Sequence, residues 1–351
     1  MSGASAVASL REAVTRLPAG SFAFVMATGI VSTALNTVGA GVLSIALLVV
    51  AVVGGAALAI ALAWRAAIAP ARLRADVRSP SRAFGFLTIV AAVNVVAVRL
   101  HGADAAGAAI ALTLLGVPLW LLLGYGVPAT LILQRRTRSA VASADGSWFL
   151  WVVATQSVAT AVGTVAVHDD AEFLAAFAVA LWGIGVMLYL MLATLVILRL
   201  LAASASPGAL NPSYWIYMGA TAITVLAGSV ILTLPSDLPI VAATRSVVSG
   251  LTYVLWAFGL WWIPLLVVFG VWRHAVRRVR LRYDTSLWSI VFPLGMFAVA
   301  SIHFGRVEHL PLMVGLGTVG AGVAGIAWLL VFGAMAARAV RSLLRAPTAV
   351  G

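Results

Sequence analysis

The residues best suited to act on a solute lie in the stretch Trp288-Ser-Ile-Val-Phe-Pro-Leu-Gly-Met-Phe297 and just beyond it. Pro293 removes a backbone donor and clashes with the carbonyl four residues earlier, so a helix through it must bend. Gly295 lets a neighbouring backbone approach, and Phe292 sets a large apolar ring beside the bend. Such a ring can shut a narrow passage, because hydrophobic constrictions gate by dewetting. The plainer reading of the same residues is a proline kink packed on its neighbours. His303 follows two turns later. Protonated it attracts anions; neutral it only donates or accepts a hydrogen bond, and a histidine satisfied near the membrane interface is the alternative. His101, His168, His274 and His309 fall in connections without metal-ligand spacing. The chain has no cysteine, hence no disulfide or thiolate chemistry. No phosphate loop, dinucleotide fingerprint or Ser/His/Asp constellation is present. Neither an enzyme nor a metal or cofactor site is expected.

The elements that must position these residues follow from composition. The chain has 351 residues, 63% hydrophobic and 9% charged, whereas soluble domains carry about 25% charged residues. It reads as a polytopic membrane protein. The net charge of +12 comes entirely from arginine. These arginines sit in short clusters between apolar stretches, which makes them topology signals and argues against a nucleic-acid partner. The alanine- and arginine-rich, lysine-free usage suggests a bacterial genome of high GC content. The first apolar run has no small-residue cleavage site behind it and is expected to stay as a span.

Ten spans are expected, at about 20–38, 41–63, 83–100, 108–131, 147–166, 172–198, 213–234, 244–271, 285–304 and 311–336, each near the ~20 residues that cross a bilayer. With the N-terminus in the cytoplasm, nineteen arginines fall inside and only Arg99, Arg245 and Arg306 fall at outer segments. Both termini are therefore expected in the cytoplasm of a bacterial plasma (inner) membrane, with the chain one transmembrane domain. The basic run 273–282 serves orientation and anionic lipid, or collects anions at the inner mouth.

Polar side chains alternate between spans. The odd-numbered spans hold 23 hydroxyl or amide side chains and the longer even-numbered ones nine. In hydrocarbon such groups face protein or a water-filled path. One arrangement that satisfies this is five helical hairpins around a central pore, odd helices inside and even helices outside. The alternative is that Ser and Thr only let helices pack closely. No Asp, Glu or Arg lies deep in any span, which argues against a proton-driven antiporter and against an acidic filter for cations. An anion moving without tight charge pairing fits what remains. Thr28, Asn94, Gln156 and Thr224 are the deepest polar candidates for lining its path, with Gly295 and His303. Arg99 and Arg245 are candidates for an anion-attracting mouth, or else reach for headgroups.

Three motifs then carry a resemblance. Leu17-Pro-Ala-Gly-Ser-Phe-Ala-Phe-Val-Met-Ala-Thr-Gly-Ile-Val-Ser32 resembles the opening motif of the tellurite-resistance/dicarboxylate transporter family, Gly259-Leu-Trp-Trp-Ile-Pro264 its eighth-span motif and Trp288–Phe297 its ninth. That family includes the bacterial tellurite-resistance channel, yeast malate and sulfite transporters and plant guard-cell slow anion channels. The resemblance implies five hairpins around a pore, a homotrimer with one pore per subunit, and a pore-occluding phenylalanine at Phe292. It also places a basic pore position of the plant channels at His303. The expected function is passive, gated transport of small anions, with C4-dicarboxylates such as malate leading. Sulfite, chloride or nitrate efflux and proton-coupled anion transport through His303 are the alternatives.

Overall fold

The computed structural model describes residues 10–135, 139–169, 172–202, 208 and 210–344, without the side chains of 168, 169 and 342–344. Arg136, Arg138 and Arg345, three of the topology-setting arginines, lie outside the described residues, as do Asp170 and the side chains of His168 and Asp169. Among the described residues all regular structure is helical. Ten main helices follow in order: α1 Ala23–Thr37, α2 Gly41–Ile68, α3 Thr88–His101, α4 Ala106–Leu133, α5 Leu150–Asp169, α6 Glu172–Ala202, α7 Trp215–Ile231, α8 Pro239–Val271, α9 Trp288–Val307 and α10 Pro311–Leu344.

Among the described residues, nine helical stretches are long and apolar enough to cross a bilayer. The first expected span differs. Residues 19–22 form turns rather than helix, so α1 has only 15 residues and rises about 22 Å. Pro18 and Gly20 fit that start, since their backbones suit the successive turns closed by Ser21 N–H to Pro18 O and Ala23 N–H to Gly20 O. The other odd-numbered helices also begin on a tighter 3₁₀ turn: Ala83–Leu87, Gly146–Phe149, Pro212–Tyr214 and Thr285–Leu287.

Burial separates two classes. In the stretches containing α3, α5, α7 and α9, between 78% and 94% of the most apolar window is buried; in α2, α4, α6, α8 and α10 it is 17–33%. The odd-numbered helices touch in cyclic order, α1 to α3, α3 to α5, α5 to α7, α7 to α9 and α9 back to α1. Each even-numbered helix packs on the odd-numbered one before it. Its outward face is apolar, with Leu122, Ile132, Phe173, Leu201 and Leu330 all well exposed, as a lipid-facing surface requires.

Indole donors join the two layers. Trp120 Nε1 of α4 donates to Thr155 Oγ1 of α5 (3.0 Å), and Trp182 Nε1 of α6 to the Thr224 carbonyl of α7 (3.0 Å). Trp256 Nε1 of α8 donates to Ser301 Oγ of α9 (2.8 Å), and Trp328 Nε1 of α10 to Thr28 Oγ1 of α1 (3.0 Å). Each outer helix is thus tied to the next inner one, and the last returns to the first. Between α2 and α3 the tie is reversed: Arg99 of α3 donates to Ser44 Oγ of α2 from Nη2 (2.8 Å) and Nε (3.2 Å).

Glycines on the outer helices receive the remaining buried amides and hydroxyls. A Cβ on Gly116 would sit 2.4 Å from Asn94 Oδ1, one on Gly185 2.2 Å from Gln156 Nε2, and one on Gly259 2.4 Å from Thr221 Oγ1. Trp262, from the eighth-span motif, is buried with its ring centroid 4.1 Å from that of Tyr217, whereas its neighbour Trp261 is 63% exposed.

Trp256→Phe and Trp328→Phe keep the ring and delete the donor. Each is expected to cost about 0.6 kcal/mol and at most about 1.7, read by equilibrium unfolding in a bilayer mimic. Losses no larger than for Trp261→Phe would show that these bonds do not join the layers.

Candidate functional site

Two polar cavities lie at opposite ends of the inner ring. The proximal one, about 710 Å³, is lined by the starts of all five inner helices, among them Ala23, Thr88, Leu150, Ile216 and Ser289. The distal one, about 500 Å³, is lined by their later turns, including Thr37, Asn94, Thr164, Val230 and His303. The inner helices therefore run parallel, and five helix N-termini converge on the proximal cavity. Their unsatisfied N–H groups give it a positive potential that favours anions.

The proximal cavity carries Arg16, Arg65, Arg72 and Arg82 beside Asp76, Asp145 and Asp284. Asp76 Oδ2 lies 2.5 Å from Arg65 Nη2 and Oδ1 lies 2.8 Å from Arg82 Nη1, with Asp76 and Arg65 both buried. The basic run 273–282 does not line this cavity. Arg273 instead donates to the Leu210 carbonyl (2.7 Å), as Arg199 does to that of Ala144 (2.6 Å) and Arg338 to that of Tyr283 (2.8 Å). Arginines at the ends of outer helices thus satisfy the carbonyls of neighbouring connections.

A threefold motif at this end escaped the sequence reading: Asp145-Gly-Ser-Trp-Phe149, Asn211-Pro-Ser-Tyr-Trp215 and Asp284-Thr-Ser-Leu-Trp288. In each, the first side chain accepts from the N–H two residues on, at 2.9, 2.8 and 2.8 Å, and so starts the 3₁₀ turn. All three caps and their serines line the proximal cavity. The recurring signal is Asx-x-Ser-(aromatic or Leu)-aromatic before alternate spans. Gly146 is fixed by a close approach, since a Cβ there would lie 2.1 Å from the Ser213 carbonyl oxygen.

Between the cavities the ring closes. On α9, Ser289, Phe292, Met296, Val299 and His303 follow the 3–4 spacing of one helix stripe. Ser289 lines the proximal cavity and the last three line the distal one; Phe292 lines neither and is fully buried. By the same spacing Ala27, Ala91, Ala154 and Ala220 stand between the two sets of lining residues on the other inner helices, each with no exposed surface. By this spacing the stretch between the two cavities falls at Phe292 on α9 and at an alanine on each of the other four inner helices. Pro293 and Gly295 turn away from it. A Cβ on Gly219 of α7 would lie 2.8 Å from Pro293 Cγ, and one on Gly295 would lie 3.0 Å from Ile30 of α1. Both therefore serve helix packing beside Phe292, and α9 runs unbroken through the proline.

The expected lining residues divide. Asn94 and His303 reach the distal cavity. Thr28, Gln156 and Thr224 reach neither cavity: Thr28 Oγ1 accepts from Trp328, Gln156 Nε2 donates to the Trp182 carbonyl (3.0 Å), and the Thr224 hydroxyl donates to the Ala220 carbonyl of its own helix (2.7 Å). Thr28 and Gln156 thus meet partners on outer helices and Thr224 is satisfied within α7, as groups without water require. Arg99, 2% exposed, lines neither cavity and does not reach headgroups. Its Nε donates to Ser32 Oγ (3.1 Å) and its Nη2 to Asn36 Oδ1 (3.4 Å). Arg245 closes the end of α7 through the Leu232 carbonyl (2.9 Å) and also lines neither. The cation of the distal cavity is Arg306, which donates to the Thr37 carbonyl (3.2 Å). His101 lines it too, and among the described residues no carboxylate does.

Most distal hydroxyls have spent their protons. Thr33, Thr37, Ser157, Thr160 and Thr164 each donate to a carbonyl of their own helix at 2.7–3.1 Å. Among the described residues no group of three or more His, Asp or Glu is placed to hold a metal ion.

A family model described as voltage-dependent anion channel matches residues 16–336. An uncharacterized membrane protein of Mycobacterium tuberculosis is 46% identical over 148 residues, 42% of this chain and 75% of that protein. An uncharacterized transporter of Methanocaldococcus jannaschii is 30% identical over 122 residues, covering 35% of this chain and 34% of its own. The sulfite efflux pump of Trichophyton rubrum is 25% identical over 261 residues, 71% of this chain and 68% of the pump.

Asp76→Asn leaves Arg65 without a buried counter-charge and is expected to cost about 3–5 kcal/mol. Gly146→Ala forces a backbone shift at the proximal rim and is expected to cost about 1–3 kcal/mol. Thermal unfolding in detergent checks both, and neutral outcomes would sink the packing described here.

Proposed function

The chain belongs to the voltage-dependent anion channel family, and from that premise we propose that it carries small anions passively across a bacterial plasma membrane. The passage runs from the proximal to the distal cavity through the ring of five inner helices, with Phe292 as its gate. One observation carries this reading. Two cation-bearing polar cavities end on opposite sides of a single buried phenyl ring.

The physics is consistent along the path. Converging helix N-termini and arginines concentrate anions at the proximal mouth. At the waist the ring of Phe292 excludes water, and a dry constriction stops an ion more effectively than a narrow wet one. Rotation of the Phe292 ring to another rotamer is the motion that opens the path. Beyond the ring, hydroxyl oxygens and few free donors bind an anion weakly, so that it can leave. The arginine bias places the proximal cavity and both termini in the cytoplasm.

C4-dicarboxylates such as malate are the leading substrate class, on the family resemblance. Sulfite is the second reading, favoured by the relatives named sulfite efflux pumps. The resemblance also implies a homotrimer with one passage in each subunit.

Phe292→Ala is expected to raise anion conductance several-fold in planar bilayers, with malate, sulfite, chloride and nitrate compared side by side. Conductance equal to that of the parent for all four would remove Phe292 as the gate.

A further inference from the structure

The distal cavity contains one hydrogen-bond acceptor whose direction is fixed by its neighbours. His303 Nδ1 lies 3.0 Å from Ser229 Oγ. The Ser229 hydroxyl has one proton, and it is donated to the Leu226 carbonyl at 2.7 Å. A carbonyl can only accept, so Ser229 must accept from His303 and Nδ1 must carry the hydrogen. The neutral ring then holds a lone pair at Nε2, which has no protein partner among the described residues, on a side chain that lines the cavity.

The groups beside it are donors. Arg306, one turn along α9, brings a permanent positive charge into the same cavity. Asn36 lines it as well, and Arg99 Nη2 donates to Asn36 Oδ1 at 3.4 Å. Arginine cannot accept, so the amide oxygen is held toward Arg99 and the NH₂ group is left for the cavity. His101 of α3 is the remaining titratable group lining the cavity. A bare anion would find its cation and amide donor but would meet the Nε2 lone pair as a repulsive neighbour. An anion that keeps one acidic O–H satisfies all three.

We propose that the distal cavity selects the proton-bearing anion of a weak oxyacid, its charged oxygen at Arg306 and Asn36 and its O–H donating to His303 Nε2. Bisulfite and the singly ionised form of a dicarboxylic acid belong to this class; nitrate and chloride do not. This rests on the anion-passage reading above. Ser229 acts here as a positioning residue, since it sets the tautomer without facing the cavity.

The test uses the full-length protein in planar bilayers on a Phe292→Ala background, with bisulfite:nitrate permeability ratios taken from reversal potentials. His303→Phe keeps a ring and removes the acceptor; it should lower the ratio about tenfold, the loss of one hydrogen bond to a charged ligand. His303→Gln restores an acceptor near the Nε2 position and should hold the ratio within about threefold of the background. Raising the pH until sulfite is fully ionised should lower its permeability in the background protein and leave no such dependence in His303→Phe. An unchanged ratio in His303→Phe, or a doubly charged sulfite that passes as readily as bisulfite, overturns the proposal while leaving the passage intact. If Phe292→Ala carries no current with any anion, the passage reading itself fails and the selectivity falls with it.

Discussion

In hydrocarbon a polar group has no water to fall back on, and the architecture of this protein follows from that constraint. Twenty-three hydroxyls and amides on the odd-numbered spans must find partners inside the protein. Some are satisfied by the carbonyl one turn back on their own helix, as Thr160 is by Gln156. Others are satisfied across the layers, by the indoles of Trp120, Trp256 and Trp328 or, for the Gln156 amide nitrogen, by the Trp182 carbonyl. These bonds fix which outer helix lies against which inner one. The order they impose is cyclic, because α10 returns to α1.

That cyclic order is what makes an interior path available. A five-membered ring of parallel helices leaves an axial gap whose width is set by the side chains pointing into it. At mid-depth the spacing of the cavity-lining residues puts four buried alanines and Phe292. The gap opens into polar cavities at both ends because the hydroxyl and charged residues are grouped there. The helix N-termini reinforce one end, and Arg306 offsets the carbonyl-rich other end. Arg99 illustrates how strictly the buried charge is managed. Without a carboxylate near it, it is held by two serines and an asparagine.

The same requirement explains where residue-type reasoning went astray. Thr28, Gln156 and Thr224 are as deep and as polar as Asn94, yet Thr28 and Gln156 bond to outer helices and Thr224 to its own backbone, while Asn94 reaches a cavity. Depth along a helix is readable from position; the direction in which a side chain leaves it depends on the neighbour. Arg99 and Arg245, judged by their nearness to span ends, became internal ties, while Arg306 supplied the cation. The three Asx-x-Ser turns are a repeat in the chain that the reading of the spans passed over, and their convergence around one cavity required the fold.

From the amino-acid order alone came the membrane class, nine of the spans to within five residues at each end, the inner-outer alternation and the choice of Phe292 as the gate to test. These are local matters: hydropathy over about 20 residues, charge in short connections, and a proline beside an aromatic ring. Only the tertiary structure decided that Phe292 is buried between the two cavities, that Pro293 and Gly295 pack against α7 and α1, and that His303 presents a lone pair to the distal cavity. Each of those depends on residues far apart in the chain meeting at one depth, and no window of sequence contains both partners.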